Sequence, residues 1–263
     1  MGKKHQETGR VLANEQIAPG IFCLTAEAPQ IAREARPGQF VHVRVSENPV
    51  QFLRMPFAVY DVDMQAGSVD VCYQVVGAGT EQLSGLGTGS YVDFIGPVGT
   101  GWTPPADAQH ALLIAGGVGA PAVNLLARQL SSAGVKVDAV MGAQTKEKFA
   151  CVDRIQTSCE ASGGTVYLTT DDGSFGTHGF VTAESDGLIA SGAYDYVAVC
   201  GPTPMMRNAV KPALERGVTC QVSMEKLMAC GVGACLSCIV ETVNGRKRCC
   251  VDGPVFDAAE VVW

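Results

Sequence analysis

Residues 111–121 indicate the fold of the central part of this chain; they read Ala-Leu-Leu-Ile-Ala-Gly-Gly-Val-Gly-Ala-Pro. Residues 111–115 form a continuous apolar run, as expected of a strand that is covered on both faces. A turn with three glycines follows, at Gly116, Gly117 and Gly119, and then a helix whose apolar residues share one face: Val123, Leu126, Ala127 and Leu130. Such a turn directs backbone N–H groups and a helix N-terminus towards an anion.

The same alternation of strands and helices continues to residue 223. Further strands are expected at 135–141, 165–169, 194–200 and 219–222. The helix at 205–216 has Thr203 as its expected N-cap and Pro204 at its first position. Residues 105–223 are therefore predicted to form an α/β domain with a doubly wound parallel sheet, which binds ligands at the carboxyl ends of its strands.

Three groups of residues are expected at that edge of the sheet. The glycine turn is the candidate dinucleotide site, although glycines that serve packing alone also explain it. Cys200-Gly201-Pro202 follows a later strand and is expected to form the other wall. Asp171 and Asp172 follow the middle strand, where two carboxylates would repel a 2′-phosphate, so the sequence favours NADH over NADPH.

Residues 1–104 have the pattern of an antiparallel β-barrel. Short alternating or apolar runs lie between turn residues at 20–26, 39–45, 57–62, 68–76 and 91–95. The stretch Gly77-Ala78-Gly79-Thr80 follows one of these runs, and its backbone N–H groups and Thr80 hydroxyl are candidates to hold a pyrophosphate. A capped turn without a ligand explains the same residues equally well. Residues 99–105 are expected to link the two domains.

The last segment, residues 224–263, contains five of the 11 cysteines. Cys230, Cys235 and Cys238 have the C-x4-C-x2-C order of a plant-type [2Fe–2S] cluster, and a fourth ligand is expected after a hairpin at residues 243–245. Zinc usually has paired shorter spacings, and unligated buried thiols are the other alternative. Only one of Cys249 and Cys250 can face the cluster, because neighbours on a strand point to opposite sides, and the spacing does not choose between them.

The remaining cysteines and the histidines show no functional spacing. The other six cysteines are scattered and are expected to be packing residues: Cys23, Cys72, Cys151, Cys159, Cys200 and Cys220. The four histidines share no metal or triad spacing and are expected at the surface or in turns: His5, His42, His110 and His178. Hydrolytic chemistry therefore has no support in the sequence.

Composition sets limits on partners and location. The chain has 263 residues, is 47% hydrophobic and carries a net charge of −7, which argues against nucleic acid as the main partner. No export signal is visible, and the longest uncharged stretch, residues 111–127, is shorter than the ~20 apolar residues that a membrane span needs. Eleven cysteines without an export signal indicate a reducing, cytoplasmic location.

These residues together resemble the electron-transfer subunit of dihydroorotate dehydrogenase type B, within the ferredoxin–NADP reductase superfamily. The most specific matches are Met224–Cys235 and Cys250–Phe256, with supporting matches at Gly79-Thr80, Gly96–Gly99, Gly116–Gly119, Asp172–Ser174 and Cys200–Pro202. The resemblance implies an FAD-binding barrel at 1–104, a nicotinamide domain at 105–223 and a [2Fe–2S] domain at 224–263. It also selects Cys250 as the fourth cluster ligand, with Cys230, Cys235 and Cys238.

The flavin motif of this family, Arg-Pro-x-Ser, falls on Met55-Pro56-Phe57-Ala58. Met55 replaces the arginine that pairs with the FAD pyrophosphate, and Ala58 replaces the serine near the flavin ring. Arg54 is a candidate to supply the missing charge. The resemblance further implies that Cys72, Tyr73 and Gln74 form a second flavin contact and that Gly79 and Thr80 form the pyrophosphate turn, so FAD is expected to be held more by backbone groups than is usual.

The resemblance implies an oxidoreductase subunit that moves electrons between NAD(H), FAD and a [2Fe–2S] cluster. Its partner would be a catalytic flavoprotein subunit in a hetero-oligomer, namely the dihydroorotate dehydrogenase subunit of pyrimidine biosynthesis. Two alternatives remain: a related reductase that serves ferredoxin or another dehydrogenase, and a non-enzymatic redox sensor or cluster carrier.

Overall fold

The computed structural model describes residues 3–45 and 53–263. Within these ranges the chain forms two seven-stranded sheets and one two-stranded hairpin. No helix in this described part is long and apolar enough to cross a membrane.

The first sheet is entirely antiparallel. Its strands are β1 (His5–Ala18), β2 (Ile21–Glu27), β3 (Phe40–Arg44), β4 (Met55–Ala58), β5 (Asp61–Asp63), β6 (Ser68–Gln74) and β7 (Tyr91–Val98), in the order β4-β3-β7-β1-β2-β6-β5. Two short helices accompany it, α1 (Pro29–Glu34) and α2 (Ala78–Ser84). Because β4 at one edge also contacts β6 near the other edge, the sheet curls into a partly closed barrel.

Strand β1 is the longest strand of the barrel, and none of the alternating runs in the sequence covers it. Its side chains include Glu7, Arg10 and Gln16, so its own hydrophobic pattern is weak. The strand is nevertheless paired on both sides, with β2 and with β7. Its place in the sheet therefore depends on its neighbours more than on its own residues.

The second sheet confirms the predicted doubly wound α/β fold. Its strands are β8 (His110–Gly116), β9 (Lys136–Ala143), β10 (Val166–Thr170), β11 (Thr177–His178), β12 (Tyr196–Cys200), β13 (Thr219–Ser223) and β16 (Val255–Asp257). Their order is β11-β10-β9-β8-β12-β13-β16, and all pairs are parallel except the last. The order reverses beside β8, which is where such sheets bind ligands.

Four helices flank this sheet in two contacting pairs. They are α3 (Ala120–Ser132) with α4 (Val152–Ala161), and α5 (Val181–Ala190) with α6 (Thr203–Glu215). The expected N-cap of α6 was wrong by one residue: Pro202 is the N-cap and Thr203 is already helical. The reason is that the carbonyl of Pro202 accepts a hydrogen bond from the N–H of Met206, which starts the helix one position earlier.

The C-terminal segment packs into both preceding sheets. Strands β14 (Ile239–Thr242) and β15 (Gly245–Arg248) form the expected hairpin, and β16 becomes an edge strand of the second sheet. One apolar cluster joins Phe40 of the barrel with Val222 of the second sheet and with Cys249 and Phe256 of the final segment. A single core thus holds the three segments together.

The linker at residues 99–105 is also fixed by packing. The indole N–H of the buried Trp102 donates a hydrogen bond to the carbonyl of Ala122, at 2.9 Å. On the same side, the amide of Asn124 donates to the carbonyl of Tyr60 at 2.9 Å. Helix α3 is therefore anchored once to the linker and once to the barrel.

Candidate cofactor sites

The cysteines of the C-terminal segment come together as two pairs. The side chains of Cys230 and Cys235 lie within hydrogen-bonding reach of each other, and so do those of Cys238 and Cys250. A [2Fe–2S] cluster takes two protein ligands at each iron, whereas one zinc ion takes all four ligands itself. The paired arrangement therefore fits two irons.

The two adjacent cysteines point in different directions. The thiol of Cys249 is buried and donates to the carbonyl of Met224 at 3.1 Å. The backbone N–H of Cys250 instead donates to the sulfur of Cys238 at 3.4 Å. Cys250 thus joins the paired thiols, and Cys249 belongs to the core beneath them.

The loop of Cys230 favours the thiolate, which is the form that binds metal. Burial alone raises the pKa of the Cys230 thiol, but the N–H groups of Val232 and Cys235 more than offset this and lower the pKa to about 6. Both nitrogens lie 3.4 Å from the sulfur. These N–H groups are placed by a loop in which Gly231 and Gly233 have positive φ angles of 65° and 87°.

Arg248 links the two cysteine-bearing segments to each other. The guanidinium of Arg248 lies 3.2 Å from the carboxylate of Asp252, across the turn that carries Cys250, and donates to the carbonyl of Gly233 at 3.3 Å. Gly233 packs so closely on Val251 that a Cβ there would lie 2.5 Å from Cγ2 of that valine. These two contacts therefore set the spacing between the segments.

His42 is buried near the cluster loop. The expectation that it lies at the surface or in a turn was wrong. It is fully buried on β3, and neither ring nitrogen has a hydrogen-bond partner among the described residues. Burial, and then the charge of Arg54, lower the pKa of His42 to about 4, so the ring is neutral at pH 7. The sequence did contain a signal for its burial. His42 is two residues after the apolar Phe40 in the same strand, and alternate residues of a strand share a face.

His5 is a second buried histidine, so the same expectation was wrong for it. Its imidazole lies 3.1 Å from the carboxylate of Glu34, on α1. His178, in contrast, is exposed on β11, as expected.

The candidate flavin residues of β4 and β6 lie on two faces. Met55 and Phe57 share the face that packs on Tyr73, with the rings of Phe57 and Tyr73 5.4 Å apart. Met55 also approaches the candidate pyrophosphate turn, since a Cβ on Gly79 would lie 2.8 Å from its sulfur. Pro56 pairs with His42 and Ala58 with Phe40 across β3 and β4. The structure therefore brings Met55, Phe57, Tyr73 and Gly79 together.

Arg54 is engaged elsewhere. Its guanidinium lies 2.6 Å from the carboxylate of Asp93 and also donates to the carbonyl of Asp93 at 3.1 Å. Both side chains are largely buried. The positive charge of Arg54 is thus neutralised beside β7, whereas Met55 occupies the position beside Gly79.

Thr80 forms a capped turn. Its hydroxyl accepts the N–H groups of Val76 and Gly77, at 2.9 and 3.1 Å, and donates to the carbonyl of Gly77. The hydroxyl is therefore occupied by the backbone of its own turn. Any ligand at this turn would meet backbone N–H groups and the bare Cα of Gly79.

A cavity of about 770 Å³ lies at the carboxyl ends of the parallel strands. Its lining includes most of the predicted nicotinamide residues, together with residues of the barrel and of the last segment: Gly116, Gly117, Gly119, Asp171, Cys200, Gly201, Pro202, Ile21, Gln74 and Glu225. The volume is in the range of small-molecule and cofactor sites. The two predicted walls meet here, since a Cβ on Gly119 would overlap the carbonyl of Cys200.

The two aspartates after β10 differ in their surroundings. Asp171 lines the cavity. The carboxylate of Asp172 instead accepts hydrogen bonds from the hydroxyl and the N–H of Ser174, at 2.6 and 3.0 Å, and these bonds lower its pKa. Asp171 is therefore the aspartate that faces the cavity.

Comparison with known proteins supports this arrangement. Residues 225–262 match the family model of the iron–sulfur cluster binding domain of dihydroorotate dehydrogenase B, and residues 113–211 match that of the oxidoreductase NAD-binding domain. The chain is 38% identical to the dihydroorotate dehydrogenase B (NAD(+)) electron transfer subunit of Desulforamulus reducens, over 97% of each chain. The chain belongs to this family. The subunit of Geobacillus kaustophilus is 37% identical over 98% of each chain.

Solved structures of other reductases share the fold of this chain. A chain from the structure of NADH-dependent reduced ferredoxin–NADP oxidoreductase, studied for flavin-based electron bifurcation, is 34% identical, with a TM-score of 0.87 over 97% of this chain and 90% of that one. The ferredoxin reductase of carbazole 1,9a-dioxygenase is 19% identical, with a TM-score of 0.69 over 82% of this chain and 67% of that one, and shares the fold. The matched cluster-binding domain decides between the metals in favour of iron and sulfide.

Proposed function

We propose that this chain is the electron-transfer subunit of a cytoplasmic dihydroorotate dehydrogenase, which connects NAD(H), FAD and a [2Fe–2S] cluster to a catalytic flavoprotein partner in pyrimidine biosynthesis. The observation that carries the proposal is that the three candidate sites touch one another. Gln74, from a flavin strand, and Glu225, from the cluster segment, both line the nicotinamide cavity. His42, on the strand paired with β4, packs against Gly231 beside Cys230.

Each candidate site is assigned to one group. Cys230, Cys235, Cys238 and Cys250 hold the cluster in domain 224–263. Met55, Phe57, Tyr73 and Gly79 contact FAD in domain 1–104, and the cavity lined by Gly116–Gly119 and Cys200–Pro202 holds the nicotinamide dinucleotide in domain 105–223. Bound flavin exchanges two electrons with a nicotinamide and single electrons with an iron–sulfur cluster. The residues of this chain bind and orient these groups and exclude water from the contacts between them.

We propose that the catalytic partner docks on the cluster loop of this chain. Leu227, Val232 and Leu236 are exposed apolar side chains within ten residues of one another along this loop, and Leu227 is 90% exposed. Apolar side chains that stand together around a redox centre favour a protein partner over solvent. A partner docked here would receive electrons over the shortest path from the cluster.

One observation favours a second function, in which the partner is a bifurcating reductase subunit. The chain is as similar to the reduced ferredoxin–NADP oxidoreductase chain, at 34% identity, as to two of the dihydroorotate dehydrogenase B subunits, those of Bacillus pumilus and Shouchella clausii. Met55 and Ala58 also depart from the Arg-Pro-x-Ser motif of the dihydroorotate dehydrogenase family.

Reconstitution with each partner separates the two functions. The chain is co-expressed with a dihydroorotate dehydrogenase catalytic subunit, and the purified material is assayed for NADH formation from NAD+ and dihydroorotate. We expect a stable complex whose NAD+-dependent activity requires both chains. A chain that forms no such complex, but exchanges electrons with ferredoxin in complex with a bifurcating partner, would establish the second function instead.

A further inference from the structure

Three cysteines outside the cluster segment meet between the barrel and the nicotinamide domain. Cys23 lies on β2, Cys72 on β6, and Cys151 directly before α4. The side chain of Cys72 is within hydrogen-bonding reach of both Cys151 and Cys23. These cysteines, which were expected to be packing residues, therefore contact one another, and the long chain separations explain why no sequence spacing indicated the contact.

The ladder between β2 and β6 places the first two thiols side by side. Cys23 and Cys72 are direct partners in this antiparallel pair, and the N–H of Val75 donates to the carbonyl of Gly20. Because hydrogen-bonded and non-hydrogen-bonded pairs alternate, Cys23 and Cys72 form a non-hydrogen-bonded pair, in which the Cα atoms are ~4.5 Å apart and side chains are closest.

Cys151 approaches from the other domain in an unusual conformation. Its φ angle is +64°, a left-handed value that is uncommon for residues other than glycine. Cys151 and Cys23 also line a cavity of about 550 Å³ between the domains, whereas Cys72 lies behind them and is 6% exposed. Two of the thiols are thus open to a small molecule, and the third is shielded.

We propose that Cys72 and Cys151 form a reversible disulfide that responds to low-molecular-weight disulfides such as glutathione disulfide. Cys151 is assigned as the partner because it lies outside the sheet, in the bend directly before α4, so a bond to it is not confined to the geometry of a strand pair as a bond to Cys23 would be.

The reaction is a thiol–disulfide exchange in two steps. The thiolate of Cys151 attacks one sulfur of glutathione disulfide, which forms a mixed disulfide at Cys151 and releases one glutathione thiolate. Cys72 then attacks the sulfur of Cys151, which closes the protein disulfide and releases the second glutathione. Two protein thiols are oxidised, one glutathione disulfide is reduced, and the two thiol protons end on the two released glutathiones.

The bond would join the barrel to the nicotinamide domain at a strand that also serves both candidate sites. Cys72 is followed directly by Tyr73, which packs on Phe57, and by Gln74, which lines the nicotinamide cavity. Oxidation therefore fixes the position of one domain relative to the other close to the place where flavin and nicotinamide are expected to meet.

Peptide mapping of the intact holoprotein tests the proposal. Protein purified anaerobically is incubated with glutathione disulfide, its free thiols are alkylated, and it is digested for mass spectrometry. We expect a linked peptide pair joining Cys72 to Cys151 with the loss of two hydrogens, and its disappearance after dithiothreitol. C151S should abolish the linked pair, whereas C159A, a change at a buried thiol in α4, should retain it.

Three results would overturn the proposal. They are a product that joins Cys23 to Cys72, stoichiometric metal in the holoprotein that is lost in C151S, and free Cys72 and Cys151 at glutathione disulfide concentrations that oxidise an exposed dithiol. Peptide mapping of the unaltered protein decides the first and the third result even if C151S fails to fold.

Discussion

The imidazole of His42 packs directly on the backbone of Gly231, so that a Cβ on Gly231 would lie 2.5 Å from Nδ1 of the histidine. His42 belongs to β3 of the barrel, and Gly231 follows Cys230 in the cluster loop. The contact joins the candidate flavin and cluster sites through one side chain. Glycine is needed at position 231 for two reasons. The contact with His42 leaves no room for a Cβ, and the φ angle of +65° is left-handed.

Replacing this glycine should damage the cluster loop more than backbone strain alone explains. Gly217 is a matched control, since its φ of +68° is nearly the same and nothing lies within 4 Å of a Cβ there. We expect G217A to lose about 1–2 kcal/mol of unfolding free energy from left-handed strain, and G231A to lose about 1–3 kcal/mol more from overlap with His42. Thermal unfolding and iron content of both variants measure the difference. Equal losses would mean that the contact with His42 does not constrain the loop.

His42 itself should influence the redox potential of the cluster. The ring nitrogens of His42 are buried without a hydrogen-bond partner among the described residues, which is unfavourable. The ring also lies against Gly231 of the cluster loop. An N–H dipole near a cluster stabilises its reduced, more negative state. We expect H42L to keep its iron but to show a lower midpoint potential in an anaerobic titration followed by electron paramagnetic resonance. H178L, at the exposed end of β11, is the control, and an unchanged potential in H42L would rule out this influence.

The adjacent cysteines should respond oppositely to the same substitution. C250S is expected to lose most of the bound iron, because Cys250 is paired with Cys238. C249S is expected to retain it, since a serine hydroxyl can still donate to the carbonyl of Met224. Iron and sulfide analysis with visible absorption checks both variants. Retention of the cluster in C250S with its loss in C249S would reverse the assignment of the fourth ligand.

Restoring an arginine at position 55 should strengthen FAD binding. Met55 lies beside Gly79, and a charged hydrogen bond from an arginine to a phosphate contributes about 1.5–3 kcal/mol. We therefore expect M55R to bind FAD about ten- to a hundredfold more tightly in a fluorescence titration of deflavinated protein. M64R makes the same change at an exposed barrel turn and should have no effect. Unchanged affinity in M55R would place the pyrophosphate elsewhere.

The sequence predicted the parts of the fold and of the cluster site that depend on local pattern. The apolar run at residues 111–115 and the glycines after it predicted strand β8, its turn and α3. The spacing of Cys230, Cys235 and Cys238 predicted the cluster site. Strand β1 could not be predicted in this way, because its polar residues are held by neighbouring strands.

Contacts between distant segments were the main features that the sequence did not indicate. His42 meets Gly231 and Cys72 meets Cys151 only after the barrel, the α/β sheet and the last segment pack together. Arg54 meets Asp93 only after the strands of the barrel have paired. Each of these residues has ordinary neighbours along the chain. Their roles arise from tertiary packing, which a single sequence does not display.

Electron transfer from nicotinamide through flavin to the cluster is tested most directly by the visible spectrum of anaerobically purified protein before and after NADH, together with its flavin, iron and sulfide content. We expect about one FAD and about two irons per chain, and we expect NADH to bleach the flavin and the cluster absorption together. Iron without flavin, or both chromophores unchanged by NADH, would contradict electron transfer from nicotinamide through flavin to the cluster.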